Sequence, residues 1–243
     1  MANSYLIRKI TGTGATIELD PEQSHHLCRV MRRRAGDEFT ALDGRGSHYL
    51  CRLRNADNRS ASIEVLSVLN TQQLPGTRIT MALALLKGQA MDRAIIGSTE
   101  LGAAEVRLFS GQRSNLKLDA KRFTAKQAHW LKVIDNACEQ CGQSLPPVLH
   151  EPSADLATIL ANSPAVLALD AQGQPFPDHL DGDAVTIAVG PEGGWSDSER
   201  ALLAQHEVPT YRISDLTLRA ETVPAVALTL AHAAIGRGAQ PAT

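Results

Sequence analysis

One stretch limits the possible folds of this chain more than any other: Val185 to Glu199, reading VTIAVGPEGGWSDSE. Val185-Thr-Ile-Ala-Val189 is short, apolar and β-branched, which suits a buried strand. Gly190-Pro191-Glu192-Gly193-Gly194 stops it. Pro191 cannot donate to a ladder, and glycines reach backbone angles that other residues resist. Ser196 followed three residues later by Glu199 is a capping box, so a helix starts near Asp197 and runs through Leu202 and Leu203. The unit is strand, glycine loop, helix. In an open α/β sheet, loops of this kind at the carboxyl ends of strands bind ligands.

The loop lacks the Gly-Lys-Ser/Thr ending of a phosphate loop and the spacing of G-x-G-x-x-G. Glu192 would repel a phosphate; it suits a hydroxyl or a cation. A tight turn with no ligand is the other reading, and the loop alone leaves both open.

At 243 residues the chain can bury a sizeable core in one or two domains. It is 43% hydrophobic and 21% charged, as soluble globular proteins are. The net charge of −2 gives no general affinity for nucleic acid, but the N-terminal part is rich in arginine: Arg8, Arg29, Arg32, Arg33, Arg34, Arg45, Arg52 and Arg54. The polar start has no signal-peptide core, and the apolar run Val223–Ile235 is too short to span a bilayer. A cytoplasmic protein without a membrane partner is therefore expected. Cys28 and Cys51 are isolated, and Cys138-x-x-Cys141 lies near a helix end without two further ligands, so no metal is expected.

Asp20-Pro21 predicts a capped helix over Glu22–Arg34, with Leu27, Val30 and Met31 on one face. Arg29, Arg32, Arg33 and Arg34 gather at its far end. They either complement the helix dipole or form a phosphate-binding surface. Short alternating runs at Glu38–Leu42, His48–Leu53 and Ala61–Leu66, with a turn at Asp43-Gly44, predict a small β-barrel. Gln72–Gly76 reads as a linker, which sets domains of 1–74 and 75–243. Strands and helices then alternate. Strands are predicted at Arg78–Leu86, Glu105–Phe109, Ala165–Leu169, Val185–Val189 and Thr210–Ile213. Helices are predicted at Gln89–Leu101, from a second capping box at Thr124 to about Cys141, at Leu156–Ala161 and at Pro224–Ile235. That order implies an α/β fold with a mostly parallel sheet. Arg219, Glu221 and Thr222 close the long connection before the last helix, and a long connection in a compact unit usually carries function.

Five stretches together resemble the ribosomal RNA small-subunit methyltransferase E family, of the SPOUT class. They are His26-Leu-Cys-Arg-Val with Gly36-Asp and Asp43-Gly44; Lys87-Gly-Gln-Ala-Met-Asp with Glu100-Leu-Gly102; Asn136-Ala-Cys-Glu-Gln-Cys-Gly142; Val189–Glu199; and Leu218-Arg-Ala-Glu-Thr222. The resemblance implies a PUA-like β-barrel that binds RNA, followed by a SPOUT-type sheet with a trefoil knot. It implies a homodimer that binds S-adenosylmethionine and methylates N3 of a uridine in 16S ribosomal RNA, as naked RNA or in the assembled small subunit. On this basis Leu169, Gly190, Pro191, Glu192, Gly193, Gly194, Ile213 and Leu218 are candidate cofactor residues. Arg219, Glu221 and Glu192 are the catalytic candidates, and Arg29, Arg32, Arg33 and Arg113 the RNA-contacting ones. The chain departs from the family's usual Leu-Gly-x-Arg-Ile-Leu-Arg at Ser214 and Leu216.

Uridine N3 is a weak acid that must lose a proton before it attacks, so Glu192 and Glu221 are candidate bases and Arg219 an anion partner. A non-catalytic ribosome-associated RNA-binding protein is the alternative, favoured by the altered loop at Ser214 and Leu216. The last helix places Val223, Val226, Ala227, Leu230, Ala231 and Ala234 on a broad apolar stripe, with Ala225, Leu228 and Ile235 off it, which predicts a partner subunit.

Overall fold

A computed structural model describes residues 4–72, 76–116 and 120–238. The described chain gathers into two compact units. The first takes in the chain before the linker together with Asp135–Pro146. The expected boundary near residue 74 lies outside the described residues.

In the first unit β1 (Ser4–Leu6), β2 (Thr16–Glu18), β3 (Glu38–Leu42), β4 (Ser47–Asn55) and β5 (Ser62–Thr71) form a sheet in the order β1-β3-β4-β5-β2. β1 runs parallel to β3 and the other pairs are antiparallel. The sheet curls around a core that includes Tyr5, Ile17, Leu27, Phe39, Leu53 and Ile63. The turn between β3 and β4 is built as its sequence indicates: the Asp43 carboxylate accepts from the amides of Arg45 and Ser47, at 2.7 and 2.9 Å, and Gly44 and Gly46 take positive φ. β4 and β5 extend further than their alternating cores, and the three-residue strands β1 and β2 are too short to carry a period.

The helix expected over Glu22–Arg34 is shorter and irregular. Asp20 caps α1 (Pro21–His25) through the amide of Gln23, and a π-helical turn follows at His26–Val30. A π turn holds an extra residue, which shifts the phase of the apolar stripe. Leu27 stays buried, whereas Val30 and Met31 face outward. Arg32 then takes a left-handed φ of 55°, and the amide of Arg33 turns back to the carbonyl of Leu27 at 3.1 Å. Arg32, Arg33 and Arg34 therefore lie beyond the helix, where its dipole does not account for them.

The second unit holds six parallel strands in the order β11-β9-β10-β6-β7-β8: β6 (Arg78–Ala84), β7 (Glu105–Phe109), β8 (Val148–Leu149), β9 (Val166–Pro175), β10 (Ala184–Val189) and β11 (Thr210–Arg212). Its helices are α2 (Gln89–Glu100), α3 (Ala120–Cys141), α4 (Leu156–Ala161), α5 (Asp197–Gln205) and α6 (Val223–Gly238), with the last turns of α3 belonging to the first unit. Thr124 lies inside α3 instead of capping it. β9 continues past Leu169 because β11 pairs with its second half across a register shift, Tyr211 opposite Gln174. Gly173 permits this approach: a Cβ there would lie 2.7 Å from the Thr210 carbonyl.

α6 packs on α2, and a Cβ on Gly97 would come within 3.3 Å of Ala225. Ala227, Leu228, Ala231 and Ala234 are buried, while Val223, Val226 and Leu230 are half-buried. The inward face is thus rotated from the expected stripe, and Leu228 belongs to the core. Among the described residues, no helix is long and apolar enough to cross a membrane.

Candidate active site

β10 ends between β9 and β6, with parallel neighbours on both sides, so the glycine loop emerges at the carboxyl edge of the sheet. The amide of Gly194, at φ 67°, closes the loop onto the carbonyl of Pro191 at 2.9 Å. Trp195 is its floor. Its indole stacks on Phe109 at 6.1 Å and 6° between planes, and its Nε1 donates to the Leu169 carbonyl at 2.8 Å. Gly190 leaves little room for a side chain, since a Cβ would sit 3.2 Å from the Trp195 ring.

The capping box at the start of α5 does more than begin a helix. Ser196 Oγ accepts from the Glu199 amide, and Glu199 Oε2 accepts from the Ser196 amide at 2.8 Å. The other oxygen of this buried carboxylate accepts from the Gln112 amide at 2.9 Å. Gln112 Oε1 in turn accepts from the hydroxyls of Ser196 and Ser198. The loop after β7 is thereby fastened to the loop after β10. Arg113 completes the fastening by donating to the Gly193 carbonyl at 3.2 Å, with its guanidinium 3.9 Å from Asp197.

The opposite wall is the connection from β11 to α6. Ser214 Oγ accepts from the Leu216 amide at 3.0 Å, and the Arg219 carbonyl accepts from the amides of Thr222 and Val223. Glu221 is nearly covered, 13% exposed, with Oε1 3.7 Å from Arg93 of α2. Between the walls lies a cleft of about 530 Å³, within the range of small-molecule sites.

The cleft brings together most of the residues expected from sequence. Leu169, Gly190, Pro191, Gly194, Ile213 and Leu218 line it, and so do Glu192, Arg219 and Glu221. Gly193 is not among its lining residues. It turns toward Arg113, whose Cβ would lie 3.0 Å from a Cβ placed on Gly193. Arg113 is in the second unit and braces the glycine loop, whereas Arg29, Arg32 and Arg33 belong to the first unit. Among the described residues, the exposed guanidinium groups of Arg29, Arg32 and Arg34 have no carboxylate partner, while Arg8, Arg52 and Arg54 pair with Asp135, Glu38 and Glu64.

Sequence reasoning missed Trp195, Asp170, Arg200 and Arg93. Trp195 had a signal, being an aromatic that directly follows the glycines. Asp170, Arg200 and Arg93 sit on regular elements far apart in sequence; only the tertiary fold brings Asp170 and Arg200 into the cleft and Arg93 to Glu221 in its wall. In the first unit, burial pushes the thiols of Cys51 and Cys138 up to about 12. Protonated thiols are poor metal ligands. Among the described residues there is no group of three or more potential metal ligands.

The cleft suits a ligand with an apolar ring, hydroxyls and mixed charge. Leu169, Val189 and Leu218 offer apolar walls, and Asp170, Glu192 and Glu221 are interspersed with Arg200, Arg212 and Arg219. S-adenosylmethionine has these features: an adenine ring, a ribose, a sulfonium and an amino-acid end.

Comparison with known proteins agrees with this fit. Residues 72–232 match the RNA methyltransferase domain family, and residues 19–66 match the PUA domain of RNA methyltransferases. The ribosomal RNA small subunit methyltransferase E of Synechocystis is 33% identical over 230 residues, covering 88% of this chain and 72% of that protein. Its Bacillus subtilis counterpart is 27% identical over 235 residues, covering 88% of each. A Legionella pneumophila methyltransferase solved with bound S-adenosylmethionine superposes with a TM-score of 0.85 at 26% identity, covering 95% of this chain and 96% of that one.

Proposed function

The chain belongs to the ribosomal RNA small-subunit methyltransferase E family, and from that premise we propose that it transfers a methyl group from S-adenosylmethionine to N3 of a uridine in 16S ribosomal RNA. One observation carries the proposal: the glycine loop and the Arg219–Glu221 connection, far apart in sequence, wall a single cleft at the carboxyl ends of parallel strands. When bound, the cofactor supplies an electrophilic methyl carbon on a sulfonium.

The protein's own residues do the rest. Backbone groups of Leu169, Gly190, Ile213 and Leu218 hold the adenosine, and the apolar walls keep water from it. Glu192 is exposed on the rim and takes the N3 proton, so that the nitrogen lone pair is free to attack. Glu221 is tied to Arg93 and orders the connection that presents Arg219. Arg219, exposed in the same cleft as both carboxylates, steadies the anionic uracil or an adjoining phosphate. The target uridine must be unpaired or flipped out to reach the cleft. The first unit, with Arg29 on its π-helical turn and Arg32 and Arg33 just beyond it, grips the RNA backbone in the naked RNA or the assembled subunit.

The working unit in this proposal is a cytoplasmic homodimer whose C-terminal domain is knotted. The dimer is supported by the half-buried Val226 and Leu230 on α6, which a second copy would cover. Calorimetric titration with S-adenosylmethionine tests the enzyme reading against an RNA-binding protein without catalysis. Saturable one-site binding per chain is expected, and no binding would favour the alternative.

A further inference from the structure

One charged pair in the cleft has no part in the mechanism above. Asp170 follows directly on Leu169 in β9, at the edge where the glycine loop begins, and its carboxylate is 6% exposed although it lines the cleft. Arg200 of α5 donates to its Oδ2, and the Gln172 amide donates to Oδ1 at 3.0 Å. A carboxylate has about four acceptor positions. Each oxygen therefore keeps one acceptor position beyond its partner in the protein.

The charge of this pair indicates what kind of group it receives. Arg200 already balances Asp170, so a cation arriving there would have to compete with the guanidinium. A neutral donor adds no charge and completes the acceptor set of both oxygens. Two oxygens, each with one acceptor position left, match two adjacent hydroxyls. A carboxylate at the end of a parallel strand beside a glycine loop meets a ribose in the same way in dinucleotide-binding sheets. We propose that Asp170, fixed by Arg200 and the Gln172 amide, is the specificity residue for the cofactor's ribose, accepting hydrogen bonds from its vicinal hydroxyls. The inference rests on the methyltransferase reading.

The test compares S-adenosylhomocysteine with its analogue lacking both ribose hydroxyls, titrated into the full-length protein. The unaltered protein is expected to bind the hydroxyl-free ligand more weakly by about 10- to 100-fold for each hydrogen bond to the charged acceptor that is lost. In Asp170→Asn that ratio is expected to shrink to that of one neutral hydrogen bond, about 2- to 13-fold, because one oxygen and the charge are gone. Equal affinity of the unaltered protein for the two ligands overturns the inference without needing any variant to fold. A ratio that persists in a folded Asp170→Asn protein, with only a lowered melting temperature, also overturns it and makes the pair a structural tie between β9 and α5. Failure of the unaltered protein to bind either ligand would overturn the methyltransferase reading itself, and this inference with it.

Discussion

Replacing Gly190 by alanine tests how the glycine loop is supported. The new Cβ would lie 3.2 Å from Cδ2 and Cε2 of Trp195, closer than the 3.4 Å at which ordinary contact begins. The ring must move by a few tenths of an ångström, yet it is held on both sides. It stacks on Phe109, and its Nε1 bonds the Leu169 carbonyl at 2.8 Å. Overpacking of this kind costs about 1–3 kcal/mol. For a chain of this size that lowers the melting temperature by about 2–12 °C. The displaced ring shifts Leu169 and the cleft wall, and loss of about one neutral hydrogen bond to the ligand would weaken binding about 2- to 13-fold. Differential scanning calorimetry and titration with S-adenosylhomocysteine read the two effects. Adding Trp195→Phe makes room for the methyl group, so the double variant should lose less stability than the sum of the two singles, by about 0.5–3 kcal/mol. Additive losses, or an alanine variant with unchanged melting and affinity, would refute the account of Gly190.

Other variants probe separate parts. Gly173→Ala would drive a Cβ to 2.7 Å from the Thr210 carbonyl and the Tyr211 amide nitrogen; both are backbone and cannot rotate away, so the β9–β11 pairing and cofactor binding should fail together, and a folded, binding variant contradicts this. Replacing Arg29, Arg32 and Arg33 with alanine should leave cofactor affinity intact, weaken RNA binding and reduce the slope of log K against log salt by about 0.7–0.9 for each phosphate no longer neutralised; an unchanged slope would remove them from the RNA surface. Burial alone would raise the Glu105 carboxyl, but hydrogen bonds from Arg107 and His150 hold it below its ordinary 4.5. Its stabilisation is therefore present above that value and lost as pH falls through the lower folded value. Glu105→Gln should melt earlier than the unaltered protein at pH 7, with the gap closing under acid; a gap independent of pH would refute the linkage. Glu192→Gln should lower methyl transfer with cofactor affinity retained, whereas Glu221→Gln should disturb binding as well, because Arg93 loses its partner. The reverse pattern would exchange their roles.

The glycine loop was legible because every signal lay within fifteen consecutive residues: a β-branched run, a proline among glycines and a capping box. The strand–helix alternation was legible for the same local reason, and the parallel sheet followed from it. Local signals failed where tertiary contacts decide. The stripe Leu27, Val30, Met31 suggested a regular helix, but the chain must return to β3, and the π turn leaves only Leu27 inside. Thr124 and Gln127 have the spacing of a capping box within an uninterrupted helix. The stripe on α6 was misjudged because Ala225 and Leu228 looked surplus, whereas Ala225 meets Gly97 and Leu228 is buried. The loop glycines suggested unusual backbone angles; at Gly190 a side chain is instead excluded by Trp195, and at Gly193 by Arg113. The Asp170–Arg200 pair could not be found from sequence, because nothing along the chain connects β9 to α5.

Methyl transfer itself is the most direct test of the central claim. Small ribosomal subunits from cells lacking this activity, and the 16S RNA extracted from them, are incubated with the protein and methyl-labelled S-adenosylmethionine, and the labelled nucleoside is identified after digestion. The account predicts label in a single nucleoside, N3-methyluridine, and its loss with Arg219→Ala. Label on another base or position, or a protein that binds the cofactor yet transfers nothing to either substrate, would contradict it.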